Sequence, residues 1–402
     1  MDVISRFLRY IAFDTQSVED SDTFPSAKKE RLLGEFLAQD LQTIGLSDVY
    51  LDEWGYVYGR LPATVGCEAL PAMGLIAHMD TSPDAPGANI QARRVPYQKG
   101  NLKLNAAGEF IDEETLRPYC GQELLVTDGT TLLGADDKAG AAEIFTAMEY
   151  LIGHPEIAHG PIAVAVTPDE EVGRGTEHFD LKRFGAQSAY TVDGGALGEI
   201  EYENFNAANA QVEFHGLNIH PGEAKNRMRN AILLAQEFLN LMPPAETPEH
   251  TEKYEGFYHV NRISGDESAA ALNLLIRDHD REKFEQRKVC LQDMADYLNR
   301  KYGNGTVDVL IRDSYYNMRE KIEPHMELID RACAAMRSCG IEPQIVPIRG
   351  GTDGAKLSYE GLPCPNLCTG GVNFHSVREF IPTAAMEKMV RILTALVQQN
   401  ER

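Results

Sequence analysis

The chain reads as an α/β fold interrupted by a smaller α+β domain. Three observations predict this. Short, wholly apolar runs such as Met73–Ala77 and Ile162–Val166 have the character of buried strands, and they alternate with helical stretches. Between about 205 and 316 the texture changes to half-exposed strands and two long helical stretches in the order β-α-β-β-α-β, that of a ferredoxin-like domain. After 317 the first texture returns, so the first domain spans 1–204 and 317–402 and the second spans 205–316.

Length and composition agree. A chain of 402 residues is too long for one ordinary domain. Its 38 Lys and Arg against 61 Asp and Glu give a net charge of −23, which argues against a nucleic-acid or anionic-membrane partner. The 7 cysteines form no CxxC pair and fit reduced thiols, with Cys364 and Cys368 read as buried. Met1–Arg6 lacks the apolar core of a signal peptide, and no run approaches the roughly 20 apolar residues of a membrane span, so the expected location is the cytoplasm.

Val3–Ala12 and Lys29–Ile44 are predicted helices; in the second, Leu32, Leu33, Phe36, Leu37 and Leu41 recur at helical spacing before Gly45. A hairpin with Trp54-Gly55 at its tip precedes the strand that ends at His78. From Thr81 to about Leu125 the pattern is irregular and is read as loops and short strands. Ala141, Ile144, Phe145, Met148, Leu151 and Ile152 mark one face of a helix that Asp136 and Asp137 open. In the second domain the predictions are a strand through Gln211–Phe214, a helix over Arg229–Leu241, strands over Gly256–Ile263 and Ala269–Arg277, a long helix from Asp280, and a strand over Thr306–Arg312. Asn304-Gly305-Thr306 matches a glycosylation sequon but reads more simply as a tight turn. Helices over His325–Cys339 and Ala384–Gln398 complete the chain.

The chemistry gathers at strand ends. His78 and Asp80 are two apart and point to one face of an extended segment. A ring nitrogen free for an ion and a carboxylate to orient the other nitrogen make a common ligand arrangement. Asp169-Glu170-Glu171 follows a buried strand, where three adjacent acids repel one another unless a cation sits among them. Asp193 ends the strand Ser188–Val192, and His375 supplies a late imidazole. In open α/β sheets, ligand sites lie outside the carboxyl ends of strands. Five N/O candidates (His78, Asp136, Glu171, Asp193 and His375) suit two zinc-like ions that share a carboxylate. Of the two adjacent glutamates, Glu170 and Glu171, one can bind while the other shuttles protons.

By His78-x-Asp80, Asp136-Asp137-Lys138, Glu170-Glu171 and Val192-Asp193, the chain resembles the di-zinc exopeptidase superfamily, which holds glutamate carboxypeptidases and succinyl-diaminopimelate desuccinylase. Thr167–Gly173, Val192-Asp193-Gly194-Gly195, His220–Lys225, Ile276–Asp280 and Arg349–Gly354 are similar to its peptidase T (tripeptide aminopeptidase) family, and the likeness covers essentially the whole chain. The resemblance implies a zinc-exopeptidase-like catalytic domain with a mixed central sheet, and a ferredoxin-like lid that also mediates a homodimer. It implies two zinc ions per subunit: His78 and Asp193 on one, Glu171 and His375 on the other, Asp136 bridging. Glu170 would be the general base and Asp80 would orient His78. His220 would stabilise the oxyanion from the lid, and Arg277 and Arg349 would meet the terminal carboxylate of a short peptide. Ser376 stands where the family often has glycine.

Alternatives stay open at this point. Asp137 could replace Asp136 as the bridge, His220 could be a structural residue of the lid, and Arg277 could pair with Asp278 or Asp280. The other eight histidines read as surface or core. Rival functions are a related carboxypeptidase, dipeptidase or N-acyl-amino-acid deacylase, or a metal-storage or scaffold protein without turnover.

Overall fold

The computed structural model describes residues 1–398. The chain divides into two compact units, one of 1–202, 320–346 and 352 onward, the other of 203–319 and 347–351. The sequence does not announce the return of 347–351 to the second unit. A parallel bridge between Asn204 and Ile348, and an Ile348 N–H donated to the Glu203 carbonyl at 2.8 Å, hold it there.

The first unit is built on an eight-stranded mixed sheet in the order Ser47–Leu51, Val57–Leu61, Ile162–Thr167, Met73–His78, Ser188–Gly194, Asn366–Cys368, Glu199–Glu201, Gln344–Ile345. The four strands from Ile162–Thr167 to Asn366–Cys368 run parallel, with His78 opposite Thr167, Ile76 opposite Thr191 and Leu367 opposite Val192. Their carboxyl ends therefore share one edge of the sheet. Every residue of Met73–His78 and Ile162–Thr167 is buried, as a strand covered on both faces requires. Gly74 lets the Phe184 ring pack onto that strand; a Cβ there would collide with the ring and with Ala189.

The helix Ala135–Gly153 lies among the strands Met73–His78 and Ser188–Gly194 and the helices Val3–Tyr10 and Thr383–Val397. It is buried almost all round, Gly140, Ala142 and Glu143 included, so its apolar stripe is wider than its spacing suggests. Ile152, expected on the stripe, is exposed near the last turn. Leu32 is exposed as well: Leu33, Leu37 and Leu41 form the buried row of Glu30–Ile44, and Leu32 lies about 100° from it around the helix. The irregular stretch after Thr81 contributes Arg93–Pro96 and Glu123–Val126 to a three-stranded sheet with Phe380–Pro382, over a core that includes Leu104, Ile111, Leu116 and Phe380.

The second unit has a four-stranded antiparallel sheet ordered Phe257–Gly265, Ala269–Asp278, Asn206–His215, Val307–Tyr315. Helices Ala231–Leu241 and Arg281–Tyr302 complete the ferredoxin-like arrangement. From Ala208 onward the strand Asn206–His215 alternates buried and exposed residues, and its buried face joins Phe238, Phe284, Leu291 and Leu298 in one core. Asn230 and Asp280 cap the two helices by accepting backbone N–H bonds of Ile232 and Lys283. Asn304 and Gly305 form the expected turn.

Candidate metal centre

Local structure brings each candidate to the carboxyl edge of the parallel strands. His78 is the last residue of its strand, and its Nε2 lies 2.8 Å from Asp136 Oδ1 and 3.3 Å from Asp193 Oδ1. On the other side of Asp136, His375 Nε2 lies 3.3 Å from Asp136 Oδ2 and 2.8 Å from Glu171 Oε2. Asp136 thus presents one oxygen to each imidazole. His375 sits in a loop whose ends, Val372 and Phe380, pair with each other, and its φ is +59°.

The carboxylate of Asp80 is fully buried and does two jobs. Its Oδ1 is 3.2 Å from His78 Nδ1 and accepts the Glu170 N–H at 3.0 Å, while its Oδ2 accepts the Glu171 N–H at 3.1 Å. Asp84, which the sequence reading passes over, stands by the second imidazole: its Oδ2 is 3.1 Å from His375 Nδ1.

The donor set fits divalent ions of the zinc class. Tetrahedral bonds of about 2.0–2.2 Å put ligand atoms roughly 3.3–3.6 Å apart; His78 to Asp193 and His375 to Asp136 stand at 3.3 Å, while His78 to Asp136 and His375 to Glu171 stand closer, at 2.8 Å. Glu171 Oε1 is buried with no hydrogen-bond partner among the described residues. The sets His78–Asp136–Glu171 and His78–Asp137–Asp193 each bring their ligand atoms within 4.8 Å of one another. The Asp137 oxygens, however, already accept backbone N–H bonds, Oδ2 from His78 at 3.1 Å and Oδ1 from Gly140 at 3.2 Å. That is the behaviour of a helix-opening carboxylate, and it leaves Asp136 the freer of the two.

Charge points the same way. Burial opposes a charged His78, yet Asp193, Asp136 and Asp80 outweigh it and hold the imidazole well above its usual range. Contacts with Asp136 and Glu171 push His375 up to about 11. Burial, with Asp136, lifts Glu171 to about 8, and burial raises Asp193 to about 7. Burial and then Asp193 push Glu170 up as well. Acids that resist ionising beside imidazoles that hold their protons mark a site short of positive charge.

His220, Arg277 and Arg349 belong to the second unit. His220 is exposed, and its Nδ1 accepts the Gly222 N–H at 3.2 Å. Arg277 pairs with neither Asp278 nor Asp280: Asp278 bonds Arg287 at 2.8 Å, and Asp280 is spent as a helix cap. Arg277 NH1 donates instead to the Ala208 and Ile276 carbonyls, and its guanidinium lies over the Tyr315 ring. Arg349 donates to the Lys253 and Glu255 carbonyls and to Thr251, stacked on Phe205 and Phe257.

The sequence reading also misses two buried acids. Asp353 accepts from Thr167 Oγ1 at 2.8 Å, and burial holds its carboxyl up at about 6. Glu379 accepts the four N–H groups of residues 133–136. The signal for Glu379 is an acid placed directly before the apolar strand Phe380–Pro382.

Comparison with known proteins gives a consistent result. The peptidase dimerisation domain family matches residues 202–306. Peptidase T of Desulfitobacterium hafniense is 54% identical over 401 residues, covering 98% of this chain and 97% of the relative. Peptidase T of Caldanaerobacter subterraneus is 51% identical over 401 residues, covering 98% of each. Among solved structures, the aminopeptidase PepT of Bacillus cereus superposes with a TM-score of 0.76 at 22% identity, covering 98% of this chain and 97% of that one. A Bacillus subtilis protein described as a dinuclear metal-binding peptidase of the M20 family gives 0.66 at 12% identity, with 98% and 96% covered. At these identities the structural likenesses speak to the fold.

Proposed function

The chain belongs to the peptidase T family, and we propose that it is a tripeptide aminopeptidase, hydrolysing the first peptide bond of a tripeptide to release the N-terminal residue. The observation that carries the reading is Asp136, with one carboxylate oxygen facing His78 and the other facing His375. His78 and Asp193 would hold one zinc, Glu171 and His375 the other, and Asp136 both. When bound, two such ions would acidify water to near neutral pH and polarise the scissile carbonyl.

The chain's own groups do the rest. Glu170, its backbone anchored on Asp80, takes a proton from the attacking water and passes it to the leaving amine. His220 would stabilise the oxyanion from the second unit. Arg277 would receive the peptide's terminal carboxylate; Arg349 has less to offer, since both of its terminal nitrogens donate to Thr251, Lys253 and Glu255. We read the second unit as the contact surface of a homodimer, supported by the family match over 202–306. A cytoplasmic site of action is supported by seven unpaired cysteines.

The test is hydrolysis of a free tripeptide beside its dipeptide and N-acetylated analogues, before and after chelation. Release of the N-terminal residue from the tripeptide alone, lost with chelator and restored by zinc, is expected. Cleavage of the blocked peptide would move the chain to the carboxypeptidase or deacylase side of the superfamily.

A further inference from the structure

Glu379 is 1% exposed and takes no direct part in the cluster of imidazoles and acids. Its Oε2 accepts the N–H groups of Leu133 and Gly134 at 2.6 and 2.9 Å, and its Oε1 those of Ala135 and Asp136 at 2.7 and 3.2 Å. Four consecutive amides converge on one carboxylate, a nest that only an acceptor with two oxygens can fill. The last of the four belongs to Asp136 itself.

The other end of the same residue belongs to the His375 loop. The Glu379 N–H donates to the Ser376 carbonyl at 3.1 Å, and the next residue, Phe380, closes the loop through paired backbone bonds with Val372 at 2.9 and 3.0 Å. The segments that present Asp136 and His375 are far apart in sequence, and the strands they follow are different. Glu379 fastens one to the other. Beside this link, Asp136 Oδ2 and His375 Nε2 lie 3.3 Å apart.

We propose that Glu379 is a positioning residue that locks the Asp136 segment to the His375 loop and thereby fixes the spacing of the second metal position. The inference rests on the dinuclear reading given above, but it concerns a residue that binds neither metal nor substrate. A glutamine at 379 keeps one acceptor oxygen and turns an NH2 donor toward two N–H donors, so half the nest is lost and the rest is repelled. Outer groups that orient ligands commonly change metal affinity about 10–100-fold when replaced.

The experiment uses the full chain stripped of metal and titrated with zinc against a competing chelator, with cobalt(II) absorption as a probe of ligand geometry. Wild type, Glu379→Gln, Glu379→Asp and Glu143→Gln are compared. Glu143→Gln makes the same acid-to-amide change at another buried position, on the helix that starts at Ala135, and controls for the loss of a buried carboxyl group as such. The expected result is that Glu379→Gln weakens one of two zinc equivalents by about 10–100-fold and alters the cobalt spectrum. Glu379→Asp, which keeps both oxygens, should recover part of the loss, and Glu143→Gln should bind as wild type does. Two zinc equivalents of wild-type affinity in Glu379→Gln, or equal losses in Glu379→Gln and Glu143→Gln, would overturn the proposal. Should the glutamine variant not fold, Glu379→Asp is judged alone: wild-type affinity and spectrum overturn the proposal, and selective weakening of one equivalent supports it. Failure of the dinuclear reading shows separately, as a wild type that binds fewer than two zinc equivalents.

Discussion

Asp80 holds Glu170 by its backbone, accepting the Glu170 N–H on Oδ1 at 3.0 Å, and the same oxygen lies 3.2 Å from His78 Nδ1. One buried carboxylate therefore fixes both an imidazole proposed to bind metal and the residue proposed to move the proton. Asp80→Asn keeps the shape but puts a donor where acceptors are needed. It should cut kcat/KM and zinc affinity together, each by about 10–100-fold. Tripeptide turnover and chelator competition on the same preparation check this; a variant with full activity and full metal would break the link between the two roles.

Glu170 and Glu171 are neighbours with opposite expected phenotypes. Glu171 Oε2 lies 2.8 Å from His375 Nε2, whereas Glu170 belongs to neither ligand cluster. Glu170→Ala should lower kcat by about 10²–10⁴-fold with metal content unchanged. Glu171→Ala should lose an equivalent of metal first and activity as a consequence, with partial recovery at high zinc. Metal analysis beside kcat separates them, and matching metal loss in both variants would end the assignment of Glu170 as the base.

Much of this was legible in the residues themselves. Apolar strands that stop at His78, Thr167 and Asp193 announce a shared sheet edge, because a parallel sheet puts its carboxyl ends together. The β-α-β-β-α-β order likewise contains the second unit's topology. What resisted reading has a common cause: it depends on contacts distant in sequence. Asp84 looks like any surface acid until the fold sets it beside His375, and the place of Glu379 before an apolar strand does not reveal that it meets 133–136. Leu32 and Ile152 look like core until the helices are docked, because spacing shows which residues align along a helix but not how wide a face is covered. The segment 347–351 carries no mark of which unit it joins: its bonds to Glu203 and Asn204 are made by backbone, and the Arg349 side chain meets its partners Thr251, Lys253 and Phe205 only across long sequence distances.

Gly140 supports the site by having no side chain. A Cβ there would press into the Val192 carbonyl oxygen and the Asp137 carboxylate, so the helix Ala135–Gly153 could not approach the strand that carries Asp193. Neither neighbour is a flexible side-chain tip: one is backbone, and the other is held by two backbone bonds. Gly140→Ala should therefore destabilise the chain by about 1–3 kcal/mol or more, despite alanine's better helix propensity. Urea unfolding measures it. A gain in stability would mean that helix and strand shift apart freely, and the close approach would lose its importance.

Glu143 makes stability depend on pH. It is fully buried in the middle of the same helix, neither carboxylate oxygen has a hydrogen-bond partner among the described residues, and burial alone pushes its carboxyl well above the usual carboxylate range. Above the ordinary carboxylate pKa of about 4.3 the unfolded chain has released this proton while the folded chain keeps it. The folded state then binds more protons, so stability from this group falls as pH rises, at up to about 1.4 kcal/mol per pH unit, until the raised folded pKa is passed. Glu143→Gln cannot ionise and should lack this slope. Relative to wild type, the variant should gain stability steadily between pH 5 and pH 8, each value read from urea unfolding of the two proteins in parallel. A difference that stays constant over that range would mean that Glu143 is ionised in the folded protein and has found a partner for its charge.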